Sequence, residues 1–171
     1  MINSRAVLLL MVLALGAGCA PSTRQRPISM GPVATGSGSL AEVRKQLEGA
    51  WTLSRFEVAD AAGQLVEVKA KAQLIYDGSG NLSITGALLE PLPGQTTIAA
   101  SPALEYAGRA VIDTARQELV LVGKAAVEPD PAVVAKLGID ARRRYEFGAN
   151  QLTMSALDAN GRVTSKATYT R

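Results

Sequence analysis

From residue 49 to the end of the chain, apolar and polar positions alternate in short runs, and turn-forming residues separate the runs. Alternation with a period of two marks strands that bury one face. The pattern predicts eight strands, over residues 50–58, 71–76, 81–86, 104–112, 118–125, 142–147, 152–157 and 163–170. Between them stand Asp60-Ala61-Ala62-Gly63, Asp77-Gly78-Ser79-Gly80, Asp113-Thr114-Ala115-Arg116, Gly148-Ala149-Asn150 and Asp158-Ala159-Asn160-Gly161. Asp, Asn and Gly in such positions supply the Asx bonds and left-handed backbone of hairpins. Sequential hairpins predict an all-β fold, an eight-stranded antiparallel up-and-down barrel, because closure removes the edges an open meander exposes. Residues 64–68 also alternate, and leave open an added hairpin or a shifted register.

Two segments follow a helical period instead. Ser39 with Glu42 fits a capping box, and Leu40, Val43 and Leu47 fall on one face, predicting a short N-terminal plug helix. Between the fifth and sixth strands, Asp130-Pro131 opens a second short helix and Gly138 closes it around Val133, Val134 and Leu137. Connections in an up-and-down barrel alternate between its ends. The two long ones, 87–103 and 126–141, fall at one end, and three short turns fall at the other with the plug helix. The expected shape is a cup with a closed floor.

The first 18 residues read as an export signal. Arg5 precedes an unbroken apolar stretch, residues 6–15, too short to span a bilayer as a helix. Gly16-Ala17-Gly18 follow, and then Cys19, the only cysteine of the chain. The segment resembles a bacterial lipoprotein signal, which implies that Cys19 becomes the acylated N-terminus, carrying palmitate-type chains. Ala20 in the next position implies sorting to the outer membrane of the cell envelope. Residues 19–39, rich in Pro, Gly, Ser and Thr, lack an apolar period and read as a flexible membrane tether ahead of a barrel domain over 40–171.

Composition narrows the chemistry. With 47% apolar and 19% charged residues, disorder is excluded for most of the length. The absence of histidine and the single cysteine exclude histidine acid–base catalysis, Ser-His-Asp and Cys-His sites, and an internal disulfide. No enzymatic activity and no cofactor or metal are expected; Asp77-Gly78-Ser79-Gly80-Asn81 lacks the further acidic ligands of a calcium loop and reads as a hairpin. The net charge of +3 comes from Arg5, Arg24 and Arg26; the remaining fifteen basic residues balance the fifteen acidic ones. A balanced domain carries no nucleic-acid footprint.

Gly49-Ala50-Trp51, preceded by a helical turn, together with an arginine at the end of the last strand, Arg171, resembles the lipocalin-like members of the calycin superfamily. The stretches LEGAWTLSRFEV, LIYDGSGNLSI and RRRYEFGANQLTMS are also similar to small bacterial lipocalin-like domains. The resemblance spans residues 40–171 and implies a barrel floor in which Arg171 packs over Trp51, and a cup that binds a small hydrophobic ligand.

Taking Trp51 as inward, alternation places Leu53, Leu74, Tyr76, Leu82, Ile84, Tyr106, Ile112, Leu119, Leu121, Tyr145, Phe147, Leu152, Met154, Val163 and Tyr169 inside. Gly86, Gly123, Ala110, Ala156, Ser165 and Ala167 share that parity, which leaves room for a cavity without excluding a packed barrel. Arg55 and Arg143 also fall inside, toward the mouth, with Glu57 as an internal partner. Arg143 and Tyr145 have the spacing of the carboxylate clamp in fatty-acid-binding barrels, which they resemble. Tyr106, Phe147 and Met154 complete the candidate ligand-binding set. The expected function is binding of a small hydrophobic or amphipathic, anionic ligand. The competing expectation is a packed barrel serving as a protein-interaction or protease-inhibitor-like module, with Glu90-Pro91-Leu92-Pro93-Gly94 as the contact for a protein partner. Phe56, Val111, Val120 and Val122 are expected outside, an apolar patch that leaves an oligomer open.

Overall fold

A computed structural model describes residues 36–98, 103–125 and 142–171. The chain divides at residues 33 and 34, and all of these belong to the second unit, 34–171. The expected signal, Cys19, most of the expected tether and the expected helix near Asp130 lie outside the described residues. No helix among the described residues is long and apolar enough to cross a membrane.

The chain enters the barrel through helix α1, Leu40–Leu47. Ser39 caps it in extended conformation, its hydroxyl accepting the Glu42 backbone N–H at 3.2 Å, which satisfies one orphan donor of the first turn. Val43 and Leu47 are buried, whereas Leu40 remains 39% exposed. Gly49 then takes φ +115°, a conformation that side chains rarely adopt, and turns the chain into the first strand.

Nine strands follow: β1 Gly49–Ala59, β2 Leu65–Glu67, β3 Ala70–Tyr76, β4 Asn81–Leu88, β5 Ala103–Asp113, β6 Glu118–Ala125, β7 Arg143–Phe147, β8 Gln151–Leu157 and β9 Val163–Thr170. They form one antiparallel sheet in the order β2-β1-β3-β4-β5-β6-β7-β8-β9, and β1 pairs with β9 to close it. The barrel has eight staves, as the alternation predicts; β2 is the extra piece that residues 64–68 left open. It lies on the same edge of β1 as β3, at Glu57–Ala59, while β3 takes Gly49–Thr52.

Three hairpins share one construction. In Asp60–Gln64, Asp77–Asn81 and Asp158–Arg162 the Asp backbone N–H donates to the carbonyl four residues on, at 2.9, 3.0 and 2.9 Å. Each Asp carboxylate accepts backbone N–H bonds from two residues inside its own turn, and the fourth residue is Gly63, Gly80 or Gly161 at φ +79°, +86° or +78°. The D-x-x-G spelling is therefore a turn that pins register by side-chain and backbone bonds together.

One irregularity changes which side chains face inward. Leu53 pairs with Tyr169 and Arg55 with Thr168, so Ser54 is an extra residue in β1, its hydroxyl donating to the Thr168 carbonyl at 3.0 Å. A bulge of one residue reverses the alternation beyond it. Trp51 and Leu53 face the core before the bulge; Phe56 and Val58 do so after it. Two expectations are thereby corrected. Arg55 points outward with a half-exposed side chain, held by Glu57 at 3.1 Å and Glu67 at 3.2 Å on the outer surface. Phe56, expected outside, packs against the core.

The core fills the lower barrel. Leu47, Trp51, Leu74, Tyr76, Leu82, Leu119, Leu152 and Met154 are each at most 1% exposed. On the opposite wall Gly108 pairs with Gly123. A Cβ on Gly108 would stand 2.4 Å from the Val122 carbonyl oxygen and 2.8 Å from the Tyr106 hydroxyl; one on Gly123 would meet that hydroxyl at 2.9 Å. The paired glycines make a dent that receives the end of the Tyr106 ring. At the floor, Trp51 donates its indole N–H to the Leu47 carbonyl at 2.8 Å. The Arg171 guanidinium lies 4.2 Å above the indole and donates to the carbonyls of Glu48 and Gln46 at 3.0 and 3.3 Å.

Candidate functional site

A cavity of about 70 Å³ opens at the end of the barrel opposite α1. Its inner wall consists of Leu53, Ile84, Ala167, Tyr169 and Arg143, all buried apart from Leu53. Phe56, Ala72, Gly86, Leu104 and the buried Leu88 continue the lining, and the more exposed Ala70, Lys71, Ala87 and Ala103 form its rim. The space exists because small residues stand where the alternation points inward. Gly86 is also required where β3 and β4 pass closely: a Cβ there would approach the Lys71 carbonyl oxygen to 2.7 Å and the Ala72 Cβ to 2.8 Å. Phe56 reaches this wall because of the bulge at Ser54, which the residue pattern alone does not reveal.

Arg143 is the buried cation of the site, 8% exposed. It sits at the first position of β7, opposite Leu119 of β6 and Ala156 of β8, with both neighbours on the inner face. Among the described residues β7 pairs with β6 only through Arg143 and Arg144, supplemented by the Tyr145 N–H donating to the Gln117 carbonyl at 2.9 Å. Burial pushes the Arg143 guanidinium below its ordinary value, while Tyr169 and Tyr106 act in the other direction. Burial likewise pushes the Tyr169 phenol up, and Arg143 draws it back. Guanidinium remains charged under these conditions because its intrinsic basicity is so high. The site therefore combines an apolar wall with one fixed positive charge of low hydration.

The structure divides the other predicted site residues. Tyr145 is buried but lies outside the cavity lining; its ring meets Phe147 at 5.5 Å and 54°. The tyrosines whose charge acts on Arg143 are Tyr169 of β9 and Tyr106 of β5. Tyr106 packs in the core beside the glycine dent, and Met154 is buried deeper in the barrel. Arg55 is outside the cup, as described above. Arg143 was expected toward the mouth; it lines the cavity from the first position of β7, level with Ala156 near the end of β8, and is buried. Tyr169 and Ala167 were legible as inward positions; Lys71 at the rim was not. Among the described residues no group of three Asp, Glu, His or Cys side chains is placed to hold a metal ion.

Beside the cup, residues 89–98 leave β4 along the rim. The Glu90 carboxylate accepts the Lys69 backbone N–H at 2.7 Å, in the break between β2 and β3, and Leu92 is buried in the core. The outer face of β5 and β6 exposes Val111 and Val122, with Val120 between them half-buried.

No family model and no curated protein matches the chain. Among solved structures, a DUF4847 family protein from Bacteroides vulgatus is similar at a TM-score of 0.41 with 10% sequence identity, over 75% of this chain and 96% of that one.

Proposed function

We propose that this protein is a binding module which buries a small amphipathic, anionic molecule in the barrel cup, and that it is held at the cell envelope by acylation of Cys19. The observation that carries the ligand reading is the lining of the cavity: Arg143, 8% exposed, stands among Leu53, Ile84, Ala167 and Tyr169. Apolar walls supply affinity for a hydrocarbon, and a buried guanidinium favours an anion because pairing in low dielectric is strong and directional. The Trp51–Arg171 stack at the floor supports the lipocalin-like reading from which a ligand cup follows. The envelope location and the lipid anchor are supported by Arg5, the apolar run 6–15 and the position of Cys19. No catalytic step belongs to this proposal.

Native mass spectrometry of the full chain, isolated gently from its own envelope, tests it. The expected spectrum shows a small co-purifying mass that is lost on denaturation and absent from an Ala167→Leu variant, whose side chain fills the cavity. A bare protein that takes up no offered amphiphile would turn the search to protein partners on the rim around Glu90–Gly94.

A further inference from the structure

The outer face of β3, β4 and β5 takes no part in the cup. Its register sets Gln73 beside Thr85 and Glu105, and Ile75 beside Ser83 and Ala107. Asp77 extends β3 by one further row: its N–H donates to the Asn81 carbonyl at 3.0 Å, and Asn81 stands opposite Arg109. In each row β4 is the centre, with one residue of β3 to one side and one of β5 to the other. All six flanking residues are exposed.

The two flanks complement each other. Ile75 is large, apolar and 45% exposed; Ala107 is small and borders a shallow hollow that Ser83, Asp77 and Arg109 also line. Asp77 is a carboxylate and Arg109 a guanidinium. Gln73 has amide donors and Glu105 only acceptors. Among the described residues neither Arg109 nor Glu105 is in an ion pair, and Arg109 donates to the Ser79 carbonyl at 3.1 Å. The Asp77 carboxylate accepts three N–H bonds in its own turn, which leaves about one of its four acceptor sites.

A two-fold axis running along β4 over Ser83 exchanges the flanks. We infer that this face docks a second copy of the chain about such an axis. Ile75 then enters the Ala107 hollow of the other copy, Asp77 meets Arg109 and Gln73 meets Glu105, each contact being made twice. Sheets stacked face to face at about 30° accept this arrangement. The matched rows span about 10 Å across the strands and about 14 Å along them. That is far less than the ~800 Å² per partner of a tight complex, so the pairing is weak, at about 10 µM to 1 mM. Both cups stay open, and the inference does not depend on what they bind.

Cross-linking of the full chain tests it in a Cys19→Ser background, which removes the only native cysteine. Facing residues of stacked sheets lie about 10 Å apart. Ser83→Cys, on the axis, should therefore couple to itself through a short two-armed maleimide. Glu146→Cys, exposed on the outer face of β7, should not. Yields are corrected for labelling by a one-armed maleimide. Position 83 is expected to give about tenfold more dimer than position 146. Arg109→Glu, added to Ser83→Cys, sets like charges together and should cut the yield about tenfold. Gln73→Arg faces Glu105 of the other copy and should raise it, a gain that misfolding cannot imitate. The apolar run 6–15 is common to every variant, so association through it leaves these differences unaffected. Equal yields at 83 and 146, or a yield that ignores either charge change, overturns the inference and leaves this face to a different protein or to solvent.

Discussion

Leu53 and Arg55 are two residues apart in β1, yet they pair with adjacent residues of β9, Tyr169 and Thr168. The ladder accommodates the difference by excluding Ser54, and every side chain beyond that point changes face. Phe56 thus enters the cup wall, while Arg55 bridges Glu57 and Glu67, which stand directly opposite each other across β1 and β2.

This relationship sets the order of two substitutions. Phe56→Ala should destabilise the barrel by about 2–3 kcal/mol, somewhat below the range for fully buried aromatic truncation, because the ring is only partly covered. Arg55→Ala should cost about 1 kcal/mol or less, since its ion pairs are half-exposed. Urea denaturation of both variants checks the order; a larger loss at Arg55 would mean that β1 alternates without interruption.

The strands themselves were legible because each turn carries its own chemistry. Asp and Gly in Asp60–Gly63, Asp77–Gly80 and Asp158–Gly161 define hairpins from local bonds alone, and alternation between them shows the inner face. Ser54 carries no such signal, because its bulge depends on the register of β9, more than one hundred residues away in the chain. The surroundings of Arg143 were illegible for the same reason: Tyr169 and Tyr106, which act on its charge, come near it through the closure of the barrel. The floor was readable as a pattern, Gly49-Ala50-Trp51 with Arg171, because both halves of the contact are unusual residues at strand ends.

That floor contact should be measurable by itself. Arg171→Ala removes a stacked cation and two hydrogen bonds to the end of α1. A loss of about 1–2 kcal/mol is expected. Trp51 is the only tryptophan, so its fluorescence should report the change without a label. An unaltered emission spectrum and midpoint would show that the stack contributes nothing to closing the floor.

The paired glycines give a contrast between crowding and freedom. Gly108→Ala or Gly123→Ala drives a methyl group into backbone atoms of the facing strand and into the Tyr106 hydroxyl. Destabilisation of about 2 kcal/mol or more should follow. Gly36 has open space around its position and no unusual backbone, so Gly36→Ala should leave thermal stability unchanged. Equal melting temperatures for the three variants would contradict the close approach of β5 and β6.

Asp77 gives the fold a pH dependence of known sign. Hydrogen bonding to its carboxylate, first from the Asn81 side chain and then from the Asn81 and Ser79 backbones, holds its pKa below the ordinary 3.8. A folded value below the unfolded one means that the stabilisation is complete above about pH 3.8 and is lost as the pH falls through the folded value. Asp77→Asn should flatten the stability profile in that acid range and leave the slope near neutral pH untouched. Unfolding midpoints across acid buffers provide the check, and identical slopes for the two proteins would remove Asp77 from the account.

The cup itself is tested most directly by methyl spectra of the alanine-labelled full chain, recorded by NMR while isovalerate is added. The wall residues Ala72 and Ala167 and the rim residues Ala70, Ala87 and Ala103 carry methyl groups at the cavity, whereas Ala107 borders a shallow hollow on the outer face. The account predicts saturable shifts at Ala72 and Ala167, weaker ones at the rim, and none at Ala107. Shifts that appear at Ala107 while Ala72 and Ala167 stay fixed would contradict it.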